Sequence, residues 1–196
     1  MRSRHILLLI AILFSYSICS AVDRVSLTSG SWGSAGTWSP AGIPAAGDNI
    51  TILSGHIITM NGNPGNCLSL TVNGTADWTQ VRTTNVGAGG LVINNGGTLN
   101  DASTTGTLNV SGGCTVPAGA SATANRMTIS VTGATIISGT LTFTNTGGTK
   151  TFNDVTIASG GTWTATAAEA FTINGSISQN GTFVANTGIF TLAGAA

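Results

Sequence analysis

Few side chains in this 196-residue chain can do chemistry. Beyond residue 21 there is one histidine, His56, and one glutamate, Glu169, alongside the aspartates Asp23, Asp48, Asp77, Asp101 and Asp154. Glycoside hydrolysis needs two carboxylates flanking the bond at a set separation. If the chain stacks in coils of about 20 residues, Asp77 and Asp101 overshoot that spacing and Asp154 and Glu169 fall short of it. His56 has no second histidine to complete a zinc site or a Ser-His-Asp set, and is read as a strand residue. The run Gly87-Ala88-Gly89-Gly90 lacks the lysine and following helix of a phosphate loop, and is read as a corner. Sequons such as Asn73-Gly74-Thr75 and Asn180-Gly181-Thr182 carry no weight in a chain so rich in Asn, Ser and Thr. The expectation is therefore a non-enzymatic protein with no catalytic residues, no cofactor and no metal ligands.

Composition narrows the partners. Only 6% of residues are charged, and the six basic and six acidic side chains cancel. Nucleic acid would need clustered Lys and Arg, which are missing, so no nucleic-acid partner is expected. The apolar fraction of 41% sets the chain apart from disordered sequences. Arg2 and Arg4, the apolar run Ile6 to Phe14 and the small residues Cys19-Ser20-Ala21 read as a secretory signal over residues 1–21, cleaved after Ser20 or Ala21. The apolar run is too short for a membrane span, which takes about 20 residues, and a lipid on Cys19 is disfavoured by Ile18 before it. Once the signal is removed the remainder is slightly acidic. Cys67 and Cys114 could pair in an oxidising compartment, but two coils apart they lie beyond disulfide reach, so buried free thiols are expected.

Repetition organises the rest. Phe152, Phe171 and Phe190 recur at a constant interval, and Gly-Thr before a large apolar residue recurs at Gly97, Gly106, Gly139, Gly161 and Gly181. Each unit is expected to offer two short strands, as in Leu141-Thr142-Phe143-Thr144 and Val155-Thr156-Ile157. Such a unit cannot bury its own apolar face, so neighbours must stack. The fold class that follows is all-β, a right-handed parallel β-helix (β-solenoid) with an irregular N-terminal cap; an ordinary β-sandwich is the alternative. The three phenylalanines are expected to form one interior ladder. Residues 22–64, with both Trp32 and Trp38, are assigned to the cap and 65–196 to the repeat solenoid, which stops just inside a new repeat and so is expected to be truncated at its C-terminus.

The cap carries Ser31-Trp32-Gly33-Ser34-Ala35-Gly36-Thr37-Trp38, then Gly42-Ile43-Pro44, Gly47-Asp48-Asn49-Ile50-Thr51-Ile52 and Gly55-His56-Ile57-Ile58-Thr59-Met60. This stretch resembles the opening of the eight-glycine domain and related N-terminal segments of large bacterial surface proteins with β-strand repeats. The resemblance implies an extracellular β-helical module, linked in some relatives to polysaccharide binding or processing and in others to adhesin-like surface proteins. Asp48, the acidic residue of the motif, is expected to cap the turn before its strand.

The functional expectation is a secreted or cell-surface module, adhesin-like or a structural stalk, whose partners are polysaccharides or other cell-surface glycans; the anchoring mode is left open. An accessory module of a carbohydrate-active enzyme is the alternative. A lower alternative is an ice-binding solenoid, suggested by Thr142, Thr144 and Thr146 recurring as Thr162, Thr164 and Thr166.

Overall fold

Strands of three or four residues that alternate apolar with Thr, Ser or Asn, punctuated by Gly and Asn, can bury one face only by stacking. That is the architecture found. A computed structural model describes residues 21–61, 66–101 and 106–194, so the signal read at residues 1–21 lies, apart from Ala21, outside the described residues.

The chain enters through β1 (Asp23–Ser26), β2 (Gly30–Ser31), a 3-10 turn at Ala35–Thr37 and β3 (Trp38–Ser39). β4 (Asn49–Ile52) and β5 (Ile57–Thr59) open the stack. β6 (Cys67–Val72), β7 (Thr75–Trp78) and the start of β8 (Thr83–Ile93) make the next coil. The end of β8, β9 (Thr98–Asp101) and β10 (Thr107–Val110) make another, followed by β11 (Cys114–Val116), β12 (Ser121–Ala124) and β13 (Thr128–Val131). Three further triplets follow. They are β14 (Thr135–Ile137), β15 (Thr140–Phe143) and β16 (Lys150–Phe152), then β17 (Val155–Ile157), β18 (Thr162–Ala165) and β19 (Ala170–Ile173), and finally β20 (Ile177–Gln179), β21 (Thr182–Val184) and β22 (Ile189–Leu192).

The protein is thus an all-β parallel solenoid of about six turns. Each coil has three strands rather than the two expected, and so three faces. The first runs β4-β6-β8-β11-β14-β17-β20, the second β5-β7-β9-β12-β15-β18-β21, and the third β8-β10-β13-β16-β19-β22. The first and third belong to one sheet because the long β8 turns the corner at Gly87 to Gly90 and pairs on both. At the N-terminal end β1 pairs parallel with β4 while β3 runs antiparallel to β1. Trp32 and Trp38 close this end, fully buried, edge to face at 5.3 Å, with the Trp38 indole N–H donating to the Trp32 carbonyl.

Inward columns fill the core. On the second face Leu99, Ala124, Phe143 and Ala165 stand in register, large alternating with small along the axis, beside a column of Ala122, Leu141, Trp163 and Phe183 that is large from Leu141 onward. The expected phenylalanine ladder is only partly realised. Phe171 stacks on Phe190 at 4.6 Å and 7°, but Phe152 pairs with Ile173, and the residue beneath Phe171 is Lys150. The step from Phe152 to Phe171 is shorter than the coil between their strands, which shifts Phe152 into the neighbouring column.

The Gly-Thr marker has a steric cause. A Cβ on Gly97, Gly139, Gly161 or Gly181 would overlap a backbone carbonyl oxygen of the preceding coil, namely that of Val72, Pro117, Ile137 or Ala158. These glycines let successive corners stack at strand spacing. Gly161→Ala is expected to lower stability by about 1–3 kcal/mol. Gly36→Ala, in the exposed turn with no atom within 4 Å of the added carbon, should change it by less than about 0.5 kcal/mol. Urea unfolding of the two variants compares them directly.

Candidate functional site

Residues that alternate with the core columns point outward, and stacking sets them in rows. On the second face one row is Ser121, Thr140, Thr162 and Thr182, and the next is Thr75, Thr98, Thr123, Thr142 and Thr164, each paired with the one before. Thr142 therefore faces Thr164, not Thr162 as the sequence spacing suggests. Successive members of a row, on neighbouring strands, lie about 4.8 Å apart. A third row is hydrogen-bonded along its length. Asn100 donates to Asp77 at 2.6 Å, Asn125 to Asn100 at 2.9 Å, and the Thr144 hydroxyl to Asn125 at 3.3 Å.

The third face carries a similar ladder. Asn85 donates to Asn66 at 2.7 Å and Asn109 to Asn85 at 2.9 Å, and Ser130, Thr151, Thr172 and Thr191 continue the row. Beside it lies a recess of about 270 Å³, walled by Asn66, Asn85, Asn109 and Ser111 over a floor that includes Cys67 and Val86. It sits where the pairing of β6 with β8 shifts register between Cys67 and Ser69. Asn85 and Asn109 each spend one amide N–H on the preceding asparagine and keep another donor and a lone pair for an outside partner. Such an uncharged array can bind hydroxyls or water.

The titratable residues are occupied structurally. The buried Asp48 carboxylate accepts the Ala45 N–H at 3.0 Å, so it caps the turn as expected. It also accepts Val22 N–H at 3.1 Å and Arg24 Nε at 2.7 Å. Burial pushes its pKa up, yet the Arg24 hydrogen bond and the two backbone donors outweigh this and hold it below the usual carboxylate range. Asp101 accepts the Gly106 N–H, and Asp154 accepts both the N–H and hydroxyl of Ser176, which lower its pKa. Asp77 and Asp101 point to opposite sides of the second face, and Glu169 is buried while Asp154 is exposed, so neither pair is brought together. His56 Nδ1 lies 2.8 Å from the hydroxyl of buried Ser26, which also accepts the Leu53 N–H. That contact ties β1 to the turn between β4 and β5. Its 30-residue separation carried no signal in the sequence.

Besides Asp48 and Asp101, Lys150 and Glu169 are buried. Lys150 donates to the carbonyls of Gly147 and Gly148 at 2.8 and 3.1 Å, and desolvation lowers its pKa against the raising effect of Glu169. Glu169 accepts the N–H groups of Thr166 and Ala167. Each closes the corner between the second and third faces of its own coil. Cys67 and Cys114 are free, buried thiols, as the coil spacing implies, with pKa values pushed up to about 12 by burial. Among the described residues no group of three or more His, Cys, Asp or Glu side chains could hold a metal ion, and no helix is long and apolar enough to cross a membrane.

Neither the curated proteins nor the solved structures contain a significant match to the chain. A family model does match part of it, less than half. The G8 domain, an extracellular-type module, matches residues 37–112, from the 3-10 turn to just past β10. The N-terminal resemblance therefore extends past the Trp, Gly-x-Pro and Gly-Asp motifs into the first full coils, and this part of the chain is similar to a G8 domain.

Proposed function

We propose that the chain is a non-enzymatic secreted or cell-surface module, adhesin-like or a stalk of a bacterial surface protein, that contacts neutral glycans through its hydroxyl and amide rows. The observation that carries this reading is the register. Side chains that are neutral, hydrogen-bonding and regularly spaced repeat over five or more coils on two faces. Repetition at one strand spacing favours weak contacts summed over many sites on a polymer. The similarity to a G8 domain and the leader-like residues 1–21 support an extracellular setting. The engagement of the carboxylates with backbone donors supports the non-enzymatic reading over an accessory role in hydrolysis. A glycan array probed with residues 22–196 should show binding to uncharged polysaccharides that Asn85→Ala with Asn109→Ala weakens about tenfold, the lost hydrogen bonds together contributing about 1–1.5 kcal/mol. An array without hits removes the glycan contact and leaves the stalk.

One observation favours a second reading. The paired rows Ser121/Thr123, Thr140/Thr142 and Thr162/Thr164 form a flat lattice of hydroxyls that could order water against ice. It breaks at the last coil, where Val184 takes the next place. Thermal hysteresis abolished by Thr142→Tyr would establish that function, and its absence in the intact chain would eliminate it.

A further inference from the structure

The N-terminal cap holds a carboxylate that bonds the backbone nitrogen at the junction between the leader-like stretch and β1. Asp48 is 2% exposed and lies in the loop before β4. Its Oδ2 is taken by Arg24 Nε and Ala45 N–H, and its Oδ1 by the backbone nitrogen of Val22 at 3.1 Å. Val22 leads directly into β1. Its carbonyl accepts the Asn49 N–H, and Asp23 to Val25 then pair with Asn49 to Thr51. The residues immediately before it, Cys19-Ser20-Ala21, are the small-residue end of the leader-like stretch.

We propose that the Ala21–Val22 bond is the processing site and that the α-ammonium group released on Val22 pairs with Asp48, so that maturation locks the cap. This rests on reading residues 1–21 as an export signal. A leader peptidase adds water across the Ala21–Val22 amide. The C–N bond breaks, the carboxylate leaves on Ala21 with the leader, and the Val22 nitrogen takes up a proton as a primary ammonium. Before cleavage Asp48 holds a neutral amide N–H at this point. After cleavage it holds a cation, and a charge-assisted bond is roughly twice as strong as a neutral one. Val22 is half-buried rather than enclosed, which limits the desolvation of the new charge. The remaining charges at this end are Arg24, on the other carboxylate oxygen, and Asp23, whose carboxylate accepts Asn49 Nδ2.

The full chain, exported from a bacterial host, should yield a product whose intact mass and N-terminal peptide begin at Val22. A product that keeps residues 1–21, or never leaves the cytoplasm, overturns the export reading. A product exported but starting at another residue overturns the processing site alone. Chains that begin at Val22 are expected to melt about 3 °C above chains that retain Ser20 and Ala21, and the difference should vanish with Asp48→Asn. Equal melting points overturn the lock. Should Asp48→Asn not fold, NMR titration of the Val22 α-amine decides instead. A pKa raised above the usual 7.7–8.0 supports the ion pair with Asp48, and an unshifted one refutes it.

Discussion

Trp163→Ala is expected to lower the thermal midpoint by about 10 °C. The indole is 1% exposed, and its ring centroid lies 5.2 to 5.3 Å from those of Phe143, Phe152 and Phe171 and 6.2 Å from Phe183 and Phe190. It thus links the inward columns of all of the last three coils. Truncating a buried Trp costs about 3–5 kcal/mol, and a domain of this size shifts by about 2–4 °C per kcal/mol. In a solenoid, stability is a sum of coils and their interfaces, so the loss should fall on the C-terminal coils and split the transition in two. Trp163→Phe is the control. The indole N–H is buried without a partner, so removing it gives up no hydrogen bond and relieves a desolvated donor. The variant is expected to stay within about 1.5 kcal/mol of the parent. If the alanine variant melted within a few degrees of the parent, the aromatic cluster would not hold these coils together.

The same cluster shows how far the sequence could be read. Stacked short strands, a covered N-terminal end, free buried thiols and the turn-capping role of Asp48 all follow from local pattern, and the structure has each of them. Which residues stack does not follow. The Gly-Thr marker signals a tight corner, but the fold has more than one kind. Gly97, Gly139, Gly161 and Gly181 open the second face under a carbonyl of the coil before, whereas Gly106 opens the third face against the Trp78 side chain. Counting both as one marker yields two strands per unit in place of three. The Phe152 displacement has a related cause. A lysine occupies the inward position beneath Phe171, and hydropathy alone places lysine on the surface. The corner carbonyls of Gly147 and Gly148, with the charge of Glu169, make that burial tolerable. The polar pairs Arg24 with Asp48 and Ser26 with His56 span 24 and 30 residues across the cap and depend on register between coils, which no local pattern encodes.

Asp48→Ala is expected to destabilise the protein by about 3 kcal/mol, the low end of the range for breaking a buried ion pair, because the Arg24 guanidinium keeps some access to water. The substitution leaves the guanidinium with the Pro40 carbonyl but no counter-charge and takes the acceptor from the Val22 nitrogen and the Ala45 N–H, so β1 loses its tie to the loop before β4. Hydrogen exchange at Ala45 should rise more than at Leu70 or Leu91 in the first face, since the cap opens before the coils do. Acidity should mimic the substitution. The folded-state pKa of Asp48 lies below its unfolded value near 3.9, so its contribution is complete above about pH 5 and disappears as pH falls through the folded pKa. Asp154, also lowered but fully exposed, shifts in the same direction with little effect on stability. Parent and Asp48→Asn chains should therefore converge in urea midpoint between about pH 5 and pH 2. If the gap between them is the same at both ends of that range, Asp48 does not act through its charge, and the cap is held by its tryptophans, its strand pairing and the Ser26–His56 contact.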